Sequence, residues 1–267
     1  MTSHTKKIIV IKFGGNALTN ETGRAFCQTV ARLPEMGYAP IIVHGGGPQI
    51  NAMLDALNVK SHFVNGLRFT DEDTLAVAEM VLSGQVGKML VQFLNNENVP
   101  AVGVSGKDGK MLIAEKMTQD DHGNAIGLGF VGHIQSANPR LLNALTDNGF
   151  IPVVAPLAHG QDGHTYNINA DYAAAAIAEA VCAQHFIVMT NIEGLLDAQQ
   201  QIIRRATTAD INQLIKDGVI QGGMIPKTLS AVDTLDRVGE VNIIDGRNAD
   251  NLIALLSYQT IGTTIVR

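Results

Sequence analysis

The sequence has no tryptophan, only two cysteines, and no surplus of basic charge. Cys27 and Cys182 stand far apart in apolar, helix-like surroundings, and neither belongs to a CxxC pair. A disulfide framework is excluded, and both are expected to be buried, reduced thiols. With 19 lysines and arginines against 25 aspartates and glutamates, the net charge is −6. A general nucleic-acid binder needs a basic face to displace phosphate counterions, so that class is excluded too. A small anion held by a few local cations is not. Lys6 and Lys7 lead only into the short run Ile8–Ile11 before Lys12 interrupts it, which makes no signal peptide. The alanine-rich stretch 173–183 is broken by Glu179 and is too short to span a bilayer. A soluble, cytoplasmic protein without a membrane partner is expected.

Several chemical signatures are missing as well. The P-loop pattern GxxxxGK[ST] is absent, because Gly87-Lys88 runs into Met89 and Gly106-Lys107 into Asp108. The eight histidines form no HxxxH or HExxH, and there is no GxSxG elbow. No protein-bound catalytic metal is expected.

What is abundant is glycine, 27 in 267 residues, within a chain that is 46% hydrophobic. That length suits one large α/β unit or two modest lobes. Runs rich in β-branched residues recur at 8–13, 39–44, 100–105, 151–156, 185–190 and 241–245. Most are continuously apolar, as strands buried on both faces of a parallel sheet are. Between them, helical spacing predicts helices over 70–82, 139–148, 171–183 and 226–238. The class is α/β with a mainly parallel core. Residues 99–137 carry short strand-like pieces and turn signals, which read as β-hairpins laid over the sheet.

Three glycine groups follow predicted strands: Gly14-Gly15, Gly45-Gly46-Gly47, and Gly194. Loops at the carboxyl ends of parallel strands form the ligand crevice, and glycine there lets backbone N–H groups approach a phosphate. The GxGxxG of Gly127, Gly129 and Gly132 is different, since polar residues precede it and no helix opens inside it. It reads as part of a lid strand, not as a dinucleotide site.

Charged residues stand in unusual places beside these loops. Lys12 ends an apolar strand just before Gly14, and Lys227 sits at a helix start where the dipole disfavours a cation. Both suggest an anion to be held. Arg68, between a turn glycine and a helix cap, suits a carboxylate. Asp171 is either a plain helix N-cap or a group that orients both lysines. Asn167 and Asn169 share one face of a strand.

In combination, IKFGGNAL, HGGGPQI, NGLRFTDEDTL, GFVG, NINADYAA, TNIEGLL, GGMIPK and the terminal GTTI resemble the amino acid kinase family over nearly the whole chain. Within it they are most similar to the branch that phosphorylates N-acetylglutamate in arginine biosynthesis. The resemblance implies an open three-layer α/β/α sandwich. Residues 1–181 would bind N-acetyl-L-glutamate and residues 182–267 would bind ATP with its Mg²⁺, the metal held mostly by the phosphates. Carried over by position, Lys12, Asp171 and Lys227 are the catalytic set. Gly45, Gly46, Arg68 and Asn167 would hold the acyl substrate. Gly14, Gly15, Asn191, Gly194, Leu195, Gly223 and Met224 would serve the phosphates and nucleotide. Asn191 departs from the aspartate more usual at its position. The short segment before Lys12 implies a simple homodimer without arginine feedback. Three other readings are open: an aminoadipate-type kinase, a catalytically silent nucleotide or effector sensor on the same fold, and a NAD-linked oxidoreductase using GLGFVG.

The nucleophile would be a γ-carboxylate, already ionised at neutral pH because its pKa is about 4. No general base is then needed, and no base constellation is found.

Overall fold

The computed structural model describes residues 7–14, 18–64, 66–119, 125–222 and 224–267. Strand β1 (Lys7–Phe13) leads through helix α1 (Asn20–Val30) to β2 (Tyr38–His44) and α2 (Gly47–Ala56). The two-residue strands β3 (Phe63–Val64) and β4 (Leu67–Arg68) pair before α3 (Glu72–Glu79), a π-helical segment at Met80–Val86, and α4 (Gly87–Asn96). Next come β5 (Ala101–Ser105), β6 (Leu112–Lys116), β7 (Gly132–Ala137), α5 (Arg140–Asp147) and β8 (Ile151–Ala155). β9 (Leu157–Gly160) and β10 (Thr165–Asn167) then lead into α6 (Ala170–Ala180). The remainder is β11 (His185–Thr190), β12 (Arg205–Thr207), α7 (Thr208–Lys216), α8 (Met224–Asp233), β13 (Glu240–Asp245), α9 (Asp250–Leu256) and β14 (Thr263–Val266).

Eight strands form one sheet in the order β12-β14-β13-β11-β1-β2-β8-β5. All pairs are parallel except β13 with β14. Strands β2, β8 and β11 are buried throughout, which explains why their sequences are apolar without alternating. Alternate residues of β1 feed two cores. Ile9, Ile11 and Phe13 pack with Phe26, Leu54, Leu90 and Leu252 from α1, α2, α4 and α9. Val10 packs with Leu142, Ala174, Ile177 and Ala231 from α5, α6 and α8. Helices therefore cover both faces of a mainly parallel sheet, the three-layer α/β/α arrangement that the family resemblance implies. A second sheet, β10-β9-β6-β7, lies on the α6 side and takes up the hairpin region.

Three local features differ from expectation. Helix continues from Glu72 to Asn96 instead of ending at residue 82. The π-helical turns carry Ser83 and Gly84, weak helix formers, through to Gly87. Though apolar and long enough to cross a bilayer, this stretch turns Val77, Val81, Leu82, Val86, Leu90 and Leu94 into the core. The cap of α6 is Asn169, whose side chain accepts from the Asp171 N–H at 2.8 Å. Asp171 is thereby left free for another role. Cys27 is buried, but Cys182 is exposed, on a left-handed residue (φ 49°) just past the end of α6.

Candidate functional site

The sheet order places β1 between β2 and β11, so the chain leaves β1 on one side and later returns on the other. Crevices at such switch points, outside the carboxyl ends of the strands, are where open α/β sheets bind ligands. Here those ends are Phe13-Gly14, His44-Gly45 and Thr190-Asn191. The first two loops touch: a Cβ on Gly14 would lie 2.6 Å from the Gly45 nitrogen and 2.9 Å from its Cα.

Lys12 shares the face of β1 that carries Val10, so its ammonium runs toward the start of α6. There Asp171 bridges two cations, with Oδ1 3.0 Å from Lys12 Nζ and Oδ2 2.9 Å from Lys227 Nζ. The Lys12 and Asp171 side chains are 6% and 4% exposed, against 20% for Lys227, so the cluster opens on the Lys227 side. Burial lowers the Lys12 pKa, and Lys227 adds to that against the pull of Asp171. For Asp171, burial works upward, but the two ammonium groups outweigh it and hold the carboxyl below its ordinary value. The result is a fixed net positive charge at a helix N-terminus. It can receive an anion.

On one side of this cluster lies a cavity of about 200 Å³, bordered by Gly45–Gly47, Arg68, Leu82, Asn167 and Asn169–Ala170. Helix α2 starts here without a side-chain cap, and its N-cap is Gly46. The Gly45 N–H is already taken by the Phe13 carbonyl at 3.0 Å, whereas Gly46 has no such acceptor among the described residues. Of the expected pair of backbone donors, Gly46 is the one available to a ligand. Arg68 is buried and has no carboxylate partner among the described residues. It donates to Ser61 Oγ at 2.8 Å and to the Gly47 carbonyl at 3.3 Å, with the Phe63 ring 4.7 Å away. Burial lowers its pKa. Asn167 Nδ2 reaches Thr70 Oγ1 at 3.3 Å, which in turn donates to the Arg68 carbonyl at 2.9 Å. A buried cation without a carboxylate partner among the described residues, bordering this cavity, has the chemistry to take a carboxylate.

A second cavity, also about 200 Å³, is lined mainly by the aliphatic side chains of Ile192, Leu195, Leu196, Val219, Ile220 and Met224, with Gln200 beside them. The Leu195 N–H donates to Thr263 Oγ1 at 2.8 Å, which ties this loop to the terminal GTTI segment. Leu195 and Met224 thus line the cavity, while Gly194 packs behind it against Thr263. Asn191 is exposed and accepts from Thr190 Oγ1 at 3.3 Å. Gly15 and Gly223 lie outside the described residues.

Residues Ser61, Phe63, Thr70 and Leu82 were not expected at the site. They are ordinary residue types whose spacing carries no signal. GLGFVG lies over Thr70: the Phe130 N–H bonds to the Thr70 carbonyl at 2.6 Å, and β7 starts at Gly132. Gly129 (φ 68°) is required, because a Cβ there would run into the Thr70 carbonyl oxygen. No helix follows until Arg140. A dinucleotide fingerprint is ruled out by this geometry.

Residues 7–245 match the pattern of the Amino acid kinase family. The chain belongs to that family. Among curated amino acid kinases, it is 44% identical to the acetylglutamate kinase of Brucella abortus (strain S19) over 275 aligned residues, covering 100% of this chain and 93% of the relative. The Brucella canis acetylglutamate kinase matches equally well, at 44% with the same coverage. Of solved structures, the smu.665 protein of Streptococcus mutans UA159 superposes with a TM-score of 0.80 at 32% identity, covering 97% of this chain and 98% of that one. The Giardia lamblia carbamate kinase bound to AMP-PNP shares the fold at a TM-score of 0.72 and 17% identity, covering 98% and 99%.

Proposed function

We propose that this amino acid kinase catalyses the ATP-dependent phosphorylation of the γ-carboxylate of N-acetyl-L-glutamate, giving N-acetylglutamyl 5-phosphate and ADP. Full-length likeness to curated acetylglutamate kinases supports the reading. The observation that carries it is Arg68, a buried guanidinium without a carboxylate partner among the described residues, beside the uncapped start of α2. In this reading residues 1–181 hold the acyl substrate and residues 182–267 the nucleotide. Arg68 takes the α-carboxylate in a fork, and Asn167 binds beside it.

The ionised γ-carboxylate attacks the γ-phosphorus of ATP. A carboxylate O–P bond forms as the bond to the β–γ bridging oxygen breaks, and the electron pair leaves on ADP. No proton moves, so the work is positioning and charge neutralisation. Lys12 neutralises the transferring group, Lys227 the leaving side, and Gly46 donates its N–H. Asp171 holds both lysines in place through its two oxygens. Leu195 and Met224 offer an apolar seat for the base. Among the described residues no group of three His, Cys, Asp or Glu could hold a metal. The one carboxylate in the cluster is already paired with two lysines, which fits Mg²⁺ arriving on the phosphates. There it would supply further charge neutralisation. The family resemblance also carries a cytoplasmic location and a homodimer, and light scattering on the purified protein tests the homodimer.

The test is ADP release with N-acetylglutamate, glutamate, aminoadipate and UMP offered separately. Turnover with N-acetylglutamate alone is expected. Preference for aminoadipate, or no turnover with any acceptor, overturns the reading.

A further inference from the structure

We propose that His44 is a positioning residue that sets the direction of the Gly46 N–H in the phosphoryl site. The inference rests on the kinase reading above. His44 ends β2 and is fully buried. Its Nδ1 lies 3.0 Å from the carbonyl oxygen of Gly45. A carbonyl oxygen only accepts, so Nδ1 carries the hydrogen and Nε2 is the bare ring nitrogen. The ring is neutral: burial, partly opposed by the Gly45 bond, takes its pKa down to about 4.

Nε2 has no hydrogen-bond partner among the described residues. It rests against Gly87, where the π-helical segment gives way to α4. A Cβ on Gly87 would lie 3.3 Å from Nε2 and 3.0 Å from the Leu82 carbonyl oxygen. The imidazole is therefore wedged between the helix and the glycine loop, with one polar bond, and that bond goes to the loop.

Its effect follows from peptide geometry. The Gly45 N–H is held by Phe13 and the Gly45 carbonyl by His44. In a planar trans peptide the Gly46 N–H then points the opposite way, away from the imidazole. Gly46 borders the cavity between Arg68 and Asn167. Without the ring bond, two consecutive glycines leave that peptide free to rotate, since neither carries a Cβ to restrict it.

Two variants separate this role from packing. His44→Leu fills the space and removes the donor, whereas His44→Asn keeps an N–H near the position of Nδ1. With N-acetylglutamate and ATP, His44→Leu is expected to lower kcat about ten- to hundred-fold with KM values changed less than about three-fold. His44→Asn is expected to recover to within about five-fold of the parent. Unchanged kcat in His44→Leu, or equal losses in two variants that keep the parental Tm, overturns the role. Should His44→Leu fail to fold, long-range ¹H–¹⁵N spectra of histidine-labelled parent decide. The resonance missing from His44→Asn is expected to be the Nδ1–H tautomer, and an Nε2–H tautomer or an imidazolium overturns the proposal. A parent inactive with every acceptor overturns the kinase reading, while an active parent with insensitive variants overturns only His44.

Discussion

The Lys12 ammonium meets the Asp171 carboxylate at 3.0 Å, across the join between the carboxyl end of β1 and the first turn of α6. One residue ends the first strand and the other opens a helix far along the chain. Their contact extends through the second Asp171 oxygen to Lys227 at 2.9 Å. In the proposed mechanism Lys12→Ala removes the charge nearest the transferring group. A fall in kcat of about 10²–10³ is expected, with KM for N-acetylglutamate and ATP changed only a few-fold. Steady-state kinetics check this, and equal losses in binding and turnover would count against the role.

Asp171→Asn leaves Lys12 buried without its counter-charge. A loss of about 3–5 kcal/mol in urea unfolding is expected, the scale for breaking a buried ion pair from one side. It also has a pH signature. In the proposed mechanism Lys12 acts as an ammonium, and its pKa already lies below the ordinary lysine value. The alkaline limb of kcat/KM in the parent, which reports the free enzyme, is therefore expected below the ordinary lysine range. Asp171 raises the Lys12 pKa, so in Asp171→Asn the same limb moves to still lower pH.

Arg68→Lys keeps the charge and loses the fork. KM for N-acetylglutamate is expected to rise about ten-fold or more, with KM for ATP unchanged. Two-substrate kinetics test it, and a matching rise for ATP would place Arg68 elsewhere in the cycle.

The two glycine patterns give opposite expectations. Gly127 has open space around a hypothetical Cβ, so Gly127→Ala is expected to stay within about 0.5 kcal/mol of the parent. Gly129→Ala drives a methyl into the Thr70 carbonyl at a positive φ, and a loss above about 2 kcal/mol is expected. Denaturant unfolding of both separates them.

How much was legible beforehand depended on range. The runs at 8–13, 39–44 and 185–190 matched β1, β2 and β11 to within a residue, because strands buried on both faces must be apolar throughout. The helix from Glu72 outran its expected end because Ser83 and Gly84 read as breakers. Only the core beneath them explains why a π-helical turn is tolerated there. Asn169 and Asp171 are both good caps, and local rules do not choose between them. At the site, Lys12 and Lys227 stood out as cations in unusual places, and Arg68 as a fork of donors between a turn glycine and a helix cap. The meeting of the two lysines on Asp171 is a property of the tertiary fold, which no local pattern encodes. His44 opens the HGGGPQI segment, but nothing in its spacing says what its ring does.

The sheet order also bears on how the protein is made. On a ribosome β2 is ready to pair with β1 soon after both emerge, but the other edge of β1 waits for residues 185–190. Through most of synthesis the nascent chain carries an open, strongly apolar strand edge at its centre, the kind of edge that recruits stray strands. Lys227 emerges later still. The Lys12–Asp171–Lys227 cluster is thus completed only after β11 has closed that edge of β1.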